Sequence, residues 1–190
     1  MQTVEDLLNE LEKKGEEAFL ARFDHPVLLY PSGHGPGTFQ TFHTRMASRV
    51  HAVQGRQERL LYKDFQVLLP VFSGKGPCPE KLLIGRSADR DFTIDHSSVS
   101  KRHAFIVFES DKAAYRLGDA GSTNGTFLNG DAVESGMPVY LRDGNTVSFG
   151  DCDYLFYSPR GLLELLGQVR LNPELSPIEE TPPLIDENDL

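Results

Sequence analysis

Tryptophan is absent from this 190-residue chain, cysteine occurs twice and methionine three times. Cys78 and Cys152 are too few for a disulfide framework or a zinc ribbon. They read as small hydrophobes of a reducing compartment. Basic residues are also scarce: 19 Lys and Arg face 28 Asp and Glu, a net charge of −9. That balance argues against broad electrostatic binding to nucleic acid or an anionic membrane, which needs a surplus of cations. No apolar run approaches the roughly 18–20 residues of a membrane span. The opening MQTVEDLLNELEKKGEE lacks the basic start and uniform apolar stretch of a secretory signal. The expectation is a cytoplasmic protein with neither a nucleic-acid nor a membrane partner. Any anion it binds is held by a local site working against the overall charge.

What the chain does contain is an ordinary globular mixture, 39% hydrophobic and 25% charged. Val4, Leu7, Leu8 and Leu11 recur at helical spacing, and Ala18 and Phe19 extend the stripe, so Thr3 to Leu20 reads as a helix. Thr3 is suited to cap it, Glu5 and Asp6 suit its first turn, and Gly15 marks its weak point. Val27 to Tyr30 reads as a short strand. The turn-rich Pro31 to Gly37 lacks the strand, lysine and helix of a phosphate-binding loop. Residues 39–53 fit a helix or a strand. His34, His43 and His51 lack the close pairing of a metal site, so no metal and no cofactor is expected.

After Leu60 the texture changes. Apolar runs alternate with Gly, Asn, Asp and Pro about every ten residues: FQVLLPVF (65–72), KLLIG (81–85), AFIVF (104–108), YRL (115–117), TFL (126–128), VYL (139–141), TVSF (146–149) and YLFY (154–157). Such spacing predicts a mainly β fold, a sandwich or barrel. Asn129-Gly130 and Asp143-Gly144 are two-residue turn signals. Ser158-Pro159 opens another helix with Leu162, Leu163, Leu165 and Leu166 on its apolar side. The acidic, proline-bearing tail has no Lys or Arg after Leu171 and reads as disordered. The expected divisions are an extension over 1–60 packing on or preceding the sandwich, the β domain over 61–160, a helix over 161–170 and the tail over 171–190.

Three stretches of the β region carry a chemistry. They are Gly85-Arg86, Ser100-Lys101-Arg102-His103, and Gly121-Ser122-Thr123-Asn124-Gly125-Thr126 followed by Asn129-Gly130. Each puts polar or cationic residues in a loop beside an apolar strand, the usual layout of a binding site on a rigid β scaffold. The groups are donors: a guanidinium, an ammonium, hydroxyls, an amide and glycine-rich backbone. No carboxylate pair or activated nucleophile accompanies them. This set recognises an anion without transforming it, so no enzyme is expected.

GRS…SSVSKRHAFIVF…LGDAGSTNGTFLNG…LRDGNTVSFG resembles the forkhead-associated (FHA) domain over about residues 65–157. The resemblance implies an FHA-like sandwich of two mostly antiparallel sheets, here with short N- and C-terminal helices, whose loops at one end read phosphothreonine peptides. By position, Arg86 resembles the arginine that clamps the phosphate, and Ser100 the serine that donates to it. Lys101 resembles a further phosphate contact, and Thr123 the loop donor near the phosphate. Asn124 resembles the asparagine that bonds the peptide main chain just after the phosphothreonine. His103 resembles a structural histidine, while Gly85, Gly125 and Asn129 resemble turn-forming or loop-bracing residues. The implied partner is a phosphothreonine-containing protein, marked by an upstream Ser/Thr kinase.

Plainer readings stand beside these. Arg86 could pair with Asp89 or Asp91 on the surface, Ser100 could be a turn residue, and Thr123 and Asn124 a hairpin loop. His103 could be a general base, though no nucleophile or carboxylate orienter accompanies it. Arg102 and Arg90 read as solvated, with direct ligand contact as the alternative. The rival for the whole chain is a structural or scaffolding sandwich whose pocket is occluded or unused. Glu179-Glu180-Thr181-Pro182-Pro183-Leu184 adds a possible phosphoacceptor, Thr181, with Leu184 third after it.

Overall fold

The computed structural model describes residues 2–31, 61–71 and 80–177. In chain order the elements are β1 (Gln2–Thr3), α1 (Val4–Lys14), α2 (Glu16–Arg22), β2 (Val27–Pro31), a single 3-10 turn (Tyr62–Asp64), β3 (Phe65–Leu68), β4 (Lys81–Gly85), β5 (Phe92–Thr93), β6 (Ala104–Glu109), β7 (Ala114–Asp119), β8 (Thr126–Leu128), β9 (Asp131–Ala132), β10 (Val139–Leu141), β11 (Thr146–Phe149), β12 (Cys152–Tyr157) and α3 (Pro159–Leu171). Two sheets form, one of seven strands ordered β1-β3-β2-β12-β11-β8-β9 and one of five ordered β10-β7-β6-β4-β5. Every pairing among the described residues is antiparallel except β4 with β5. The mainly β sandwich of two sheets with short flanking helices is therefore present.

The helices make a third layer on the seven-stranded sheet. Val4, Leu7 and Leu11 of α1, Phe19 of α2 and Leu162, Leu165, Leu166 and Val169 of α3 share one cluster with Val27, Leu29, Leu155 and Tyr157. The alternate residues Leu28, Tyr30, Tyr154 and Phe156 turn the other way, into the core between the sheets. With both faces covered, all six residues of β12 are buried. That is why YLFY reads as a continuous apolar run rather than an alternation. Val27–Pro31, expected within the N-terminal extension, is an interior strand of this sheet, paired to β12 and β3. The expected division at residue 61 therefore runs through this sheet rather than between layers.

Helix ends follow local chemistry. Thr3 Oγ1 accepts from Asp6 N at 3.1 Å, and Asp6 Oδ2 accepts from Thr3 N at 2.9 Å, so two otherwise orphaned donors at the start of α1 are satisfied reciprocally. Gly15, at φ 80, stops α1 and starts α2, splitting the single helix expected over 3–20. Ser158 Oγ accepts from Gly161 N at 3.0 Å, with Pro159 in the first helical position of α3. No described helix is long and apolar enough to cross a membrane. The expectations for His34, His43 and His51, for residues 39–53, for Cys78 and for Thr181 and the tail after 177 fall outside the described residues.

Candidate phosphopeptide-binding loops

One end of the sandwich collects the loop leaving β4, the loop entering β6 and the loop joining β7 to β8. The joint between the first two is backbone to backbone. Arg86 N donates to Ser100 O at 2.9 Å, and His103 N donates to Ile84 O at 2.9 Å. Gly85 is buried against this joint. A Cβ there would run into the carbonyl oxygen of Lys101, so only glycine lets the two loops close.

Arg86 is exposed, and its Nε donates to Val99 O at 3.2 Å. Among the described residues it has no carboxylate partner. The two acids that could have taken it are engaged elsewhere: Asp89 pairs with Arg90, and Asp91 Oδ2 accepts from Leu83 N at 2.7 Å. Ser100 and Thr123 meet across the cleft. Thr123 N donates to Ser100 Oγ at 3.1 Å, and the two hydroxyls lie 3.4 Å apart. Lys101 is exposed beside them, again with no ion-pair partner among the described residues. Asn124 is exposed on the same loop as Thr123, and its Nδ2 donates to Ser98 O at 2.8 Å. A guanidinium, an ammonium and two hydroxyls thus share one rim, and no carboxylate among the described residues pairs with its two cations.

His103 ties the second loop to the third from beneath. It is fully buried, its Nδ1 accepts from Ser100 N at 3.0 Å, and its Nε2 donates to Gly125 O at 3.0 Å. These partners fix the neutral ring with the proton on Nε2. The ring sits edge-on to Phe149, 5.8 Å between centroids. Burial, only partly opposed by Gly125 and the distant Asp119 charge, lowers its pKa below the ordinary histidine value. The unfolded chain therefore takes up a proton more readily than the folded one. Stability from this group is complete above about pH 6.5 and is lost as pH falls below it. The melting temperature should decline between pH 7 and pH 5, and the decline should flatten in His103→Gln. Parallel thermal-unfolding series check this; the same slope in both proteins would remove His103 as its cause.

Two residues that sequence reasoning left without a role hold the site together. Asp119, at the end of β7, is buried and accepts four hydrogen bonds: from Gly121 N at 2.7 Å, Ser122 N at 3.0 Å, Ser122 Oγ at 2.6 Å and Thr126 Oγ1 at 2.7 Å. The first is an Asx-type turn, for which D-x-G-S is the local signal. Ser98 is the second. Besides receiving Asn124, its Oγ accepts from Asp151 N at 2.9 Å, joining the loop before β6 to the turn between β11 and β12. Gly125 takes φ 82, and its carbonyl accepts from both His103 and Gly150 N. Asn129 takes φ 51 in its turn, but it braces the opposite end of the sandwich. Its Oδ1 accepts from Thr146 N at 2.9 Å, where β11 begins.

Residues 82–150, which contain all three loops, match the family model described as FHA domain. Over 69 residues the chain is 44% identical to the human nuclear inhibitor of protein phosphatase 1, covering 36% of this chain and 20% of that protein. Over 80 residues it is 38% identical to the human angiogenic factor with G patch and FHA domains 1, covering 39% of this chain and 11% of that protein. The chain thus spans about a fifth or less of the length of these relatives. Among solved structures, the N-terminal FHA domain of S. cerevisiae Rad53p in complex with a phosphothreonine peptide aligns at TM-score 0.38 with 28% identity, covering 41% of this chain and 67% of that one. The GR, SxxH and STNGT stretches fold into one loop cluster and NG turns the chain at the other end of β8, and it is over residues 82–150, which hold all four, that this chain is similar to the FHA domain.

Proposed function

We propose that this chain is a phosphothreonine-dependent protein-binding module, an adaptor that docks partners marked by a Ser/Thr kinase. The observation that carries the reading is that Arg86, Ser100 and Thr123 stand on loops joined to one another, with Asp89 and Asp91 engaged elsewhere and no carboxylate partner for Arg86 among the described residues. A phosphothreonine brings about −1.5 to −2 charge and three acceptor oxygens at neutral pH. Arg86 can fork onto two of them, as a lysine cannot. Lys101 adds a point charge, and the Ser100 hydroxyl, which accepts from Thr123 N, donates over a long 3.4 Å to Thr123 Oγ1, a bond it can exchange for one to a phosphate oxygen. Asn124 holds the peptide main chain. His103, Gly85 and Gly125 position these groups from behind. Hydrogen bonds to charged groups contribute about 1.5–3 kcal/mol each. Three or four of them, less the cost of ordering a peptide, correspond to micromolar affinity, about −8 kcal/mol.

The donor-only chemistry supports binding without catalysis. Scarce cysteine supports a reducing compartment, and we assign the cytoplasm, with the nucleus the alternative that the name of one relative raises. Thr181 belongs to the same reading: once phosphorylated, in the acidic EETPPL segment, it becomes a ligand for this site in its own or a neighbouring molecule.

A phosphothreonine peptide array tests the proposal. Binding should be confined to phosphorylated members, with the threonine and glutamate versions of the same peptides left unbound. Glutamate offers fewer oxygens and less charge, so it is a poor substitute. Equal capture of phosphorylated and unphosphorylated peptides would return the chain to a scaffolding role.

A further inference from the structure

The two sheets are treated differently on their outer faces. Helices cover the seven-stranded sheet. Among the described residues, nothing covers the five-stranded one. On β4 and β6 the core takes Leu82, Ile84, Ala104 and Ile106, while the alternate residues Lys81, Leu83, Phe105 and Val107 face outward. Phe105 lies down across the sheet rather than standing in solvent. Its ring occupies the place where a side chain at Gly118 on β7 would be, and Lys81 Nζ sits 4.0 Å from the ring centroid. A glycine inside a strand weakens it, and here Gly118, next to last in β7, makes room for a flat aromatic shelf.

A shallow pocket opens on this shelf. Leu83 and Phe105 line its floor, Lys81, Arg90 and Arg102 its rim, and Ala120 the side nearest the phosphate loops. Ala120 immediately precedes the Gly121–Asn124 loop, and Arg102 directly follows Lys101. The pocket and the loops therefore form one continuous surface. The cations of this face differ in their pairing. Arg116 and Lys112 are both paired to Glu109, and Arg90 is paired to Asp89. Lys81, level with Val107 and Arg116, reaches over the Phe105 ring, and Arg102 stands in the loop before β6; neither has a carboxylate partner among the described residues, in a chain whose net charge is −9. A cationic rim around an apolar floor is complementary to acidic residues flanking an apolar side chain.

Building on the phosphothreonine reading, we propose that this shelf is a second docking subsite, which takes an acidic flank of the same phosphorylated partner and seats one apolar side chain of it on Leu83 and Phe105. The partner class is then narrower than any phosphothreonine protein. It carries Asp or Glu together with a Leu-like residue within a few positions of the phosphothreonine, reaching the shelf past Ala120.

Calorimetry on the full chain, at about 0.15 M salt where long-range attraction is screened, tests this. Three synthetic peptides share one phosphothreonine core. One has neutral flanks, one an acidic, Leu-bearing flank before the phosphothreonine, and one the same flank after it. One of the acidic peptides should bind about tenfold tighter than the neutral peptide. Changing its Leu to Gly should remove part of that gain. Lys81→Gln with Arg102→Gln should remove the rest while holding the neutral peptide within about twofold of wild type. Lys13→Gln with Arg170→Gln changes net charge equally at exposed sites on the helices and should keep the gain. A neutral peptide bound through Arg86 with no gain from either flank would overturn this inference alone. So would a gain that survives the first pair of substitutions, or one that the second pair abolishes equally. Failure of all three peptides to bind would overturn the phosphothreonine reading and the subsite with it.

Discussion

Arg86→Ala should lower affinity for a good phosphothreonine peptide at least tenfold and leave the fold intact. The expectation rests on how little Arg86 does for the folded chain. Its side chain is exposed, donates one hydrogen bond to Val99 O at 3.2 Å and pairs with no acid among the described residues. A tenfold loss is about 1.4 kcal/mol, and one hydrogen bond to a charged group contributes about 1.5–3 kcal/mol. A forked contact contributes more. Arg86→Lys keeps the charge but loses the planar fork, so it should recover only some of the affinity. Ser100→Ala is a less clean test of the phosphate contact. Its Oγ also accepts from Thr123 N, so its removal loosens a loop as well as deleting a donor. Calorimetry with one peptide, alongside thermal melts of each variant, separates contact from fold. Wild-type affinity in a folded Arg86→Ala protein would end the assignment.

The residues that made the site legible in the sequence are those whose chemistry is unusual where they stand. An arginine after Ile84-Gly85, a hydroxyl-rich Gly121–Thr126 loop and a histidine beside a strand are polar groups set directly against apolar runs. The geometry gives each a place in one cluster. The strands were legible for a different reason: glycine, asparagine and aspartate punctuate the apolar runs, and the Asn129-Gly130 turn takes the positive φ that its sequence demands. What pattern reading could not supply was the third layer. Val27–Pro31 and β12 look like isolated apolar runs because alternate residues of each bury against different partners, the helices on one side and the second sheet on the other. Periodicity distinguishes buried from exposed faces, and a strand buried on both faces offers no contrast to read. Ser98 escaped because its partners, Asn124 and Asp151, are 26 and 53 residues away in sequence.

Asp119 escaped for a related reason, and it carries the second large effect. Its carboxylate accepts two backbone N–H groups and two hydroxyls, and Thr126 among these is fully buried. Burial pushes the carboxyl pKa up, but the bonds from Ser122, Thr126 and Gly121 together outweigh it and hold the group below its ordinary value. Asp119→Ala strands these donors, so it should cost about 2–4 kcal/mol of stability. Phosphopeptide affinity should fall with it, because four of the hydrogen bonds that shape the loop bearing Thr123 and Asn124 end on this side chain. Asp119→Asn keeps the shape and one carbonyl oxygen for the backbone donors, but it presents an amide N–H where hydroxyl donors point. Its loss should be smaller. The sign of the pH effect follows from the depressed pKa: the stability Asp119 contributes is complete above the unfolded value of about 3.9 and disappears as pH falls through the folded one. Acid unfolding of Asp119→Asn should therefore begin from a lower stability and fall less steeply below pH 4. Denaturant titrations at pH 7 and at pH 3 read both quantities. If Asp119→Ala stays within about 0.5 kcal/mol of wild type with its peptide affinity unchanged, the loop is held by its glycine turns and strand ends rather than by the carboxylate.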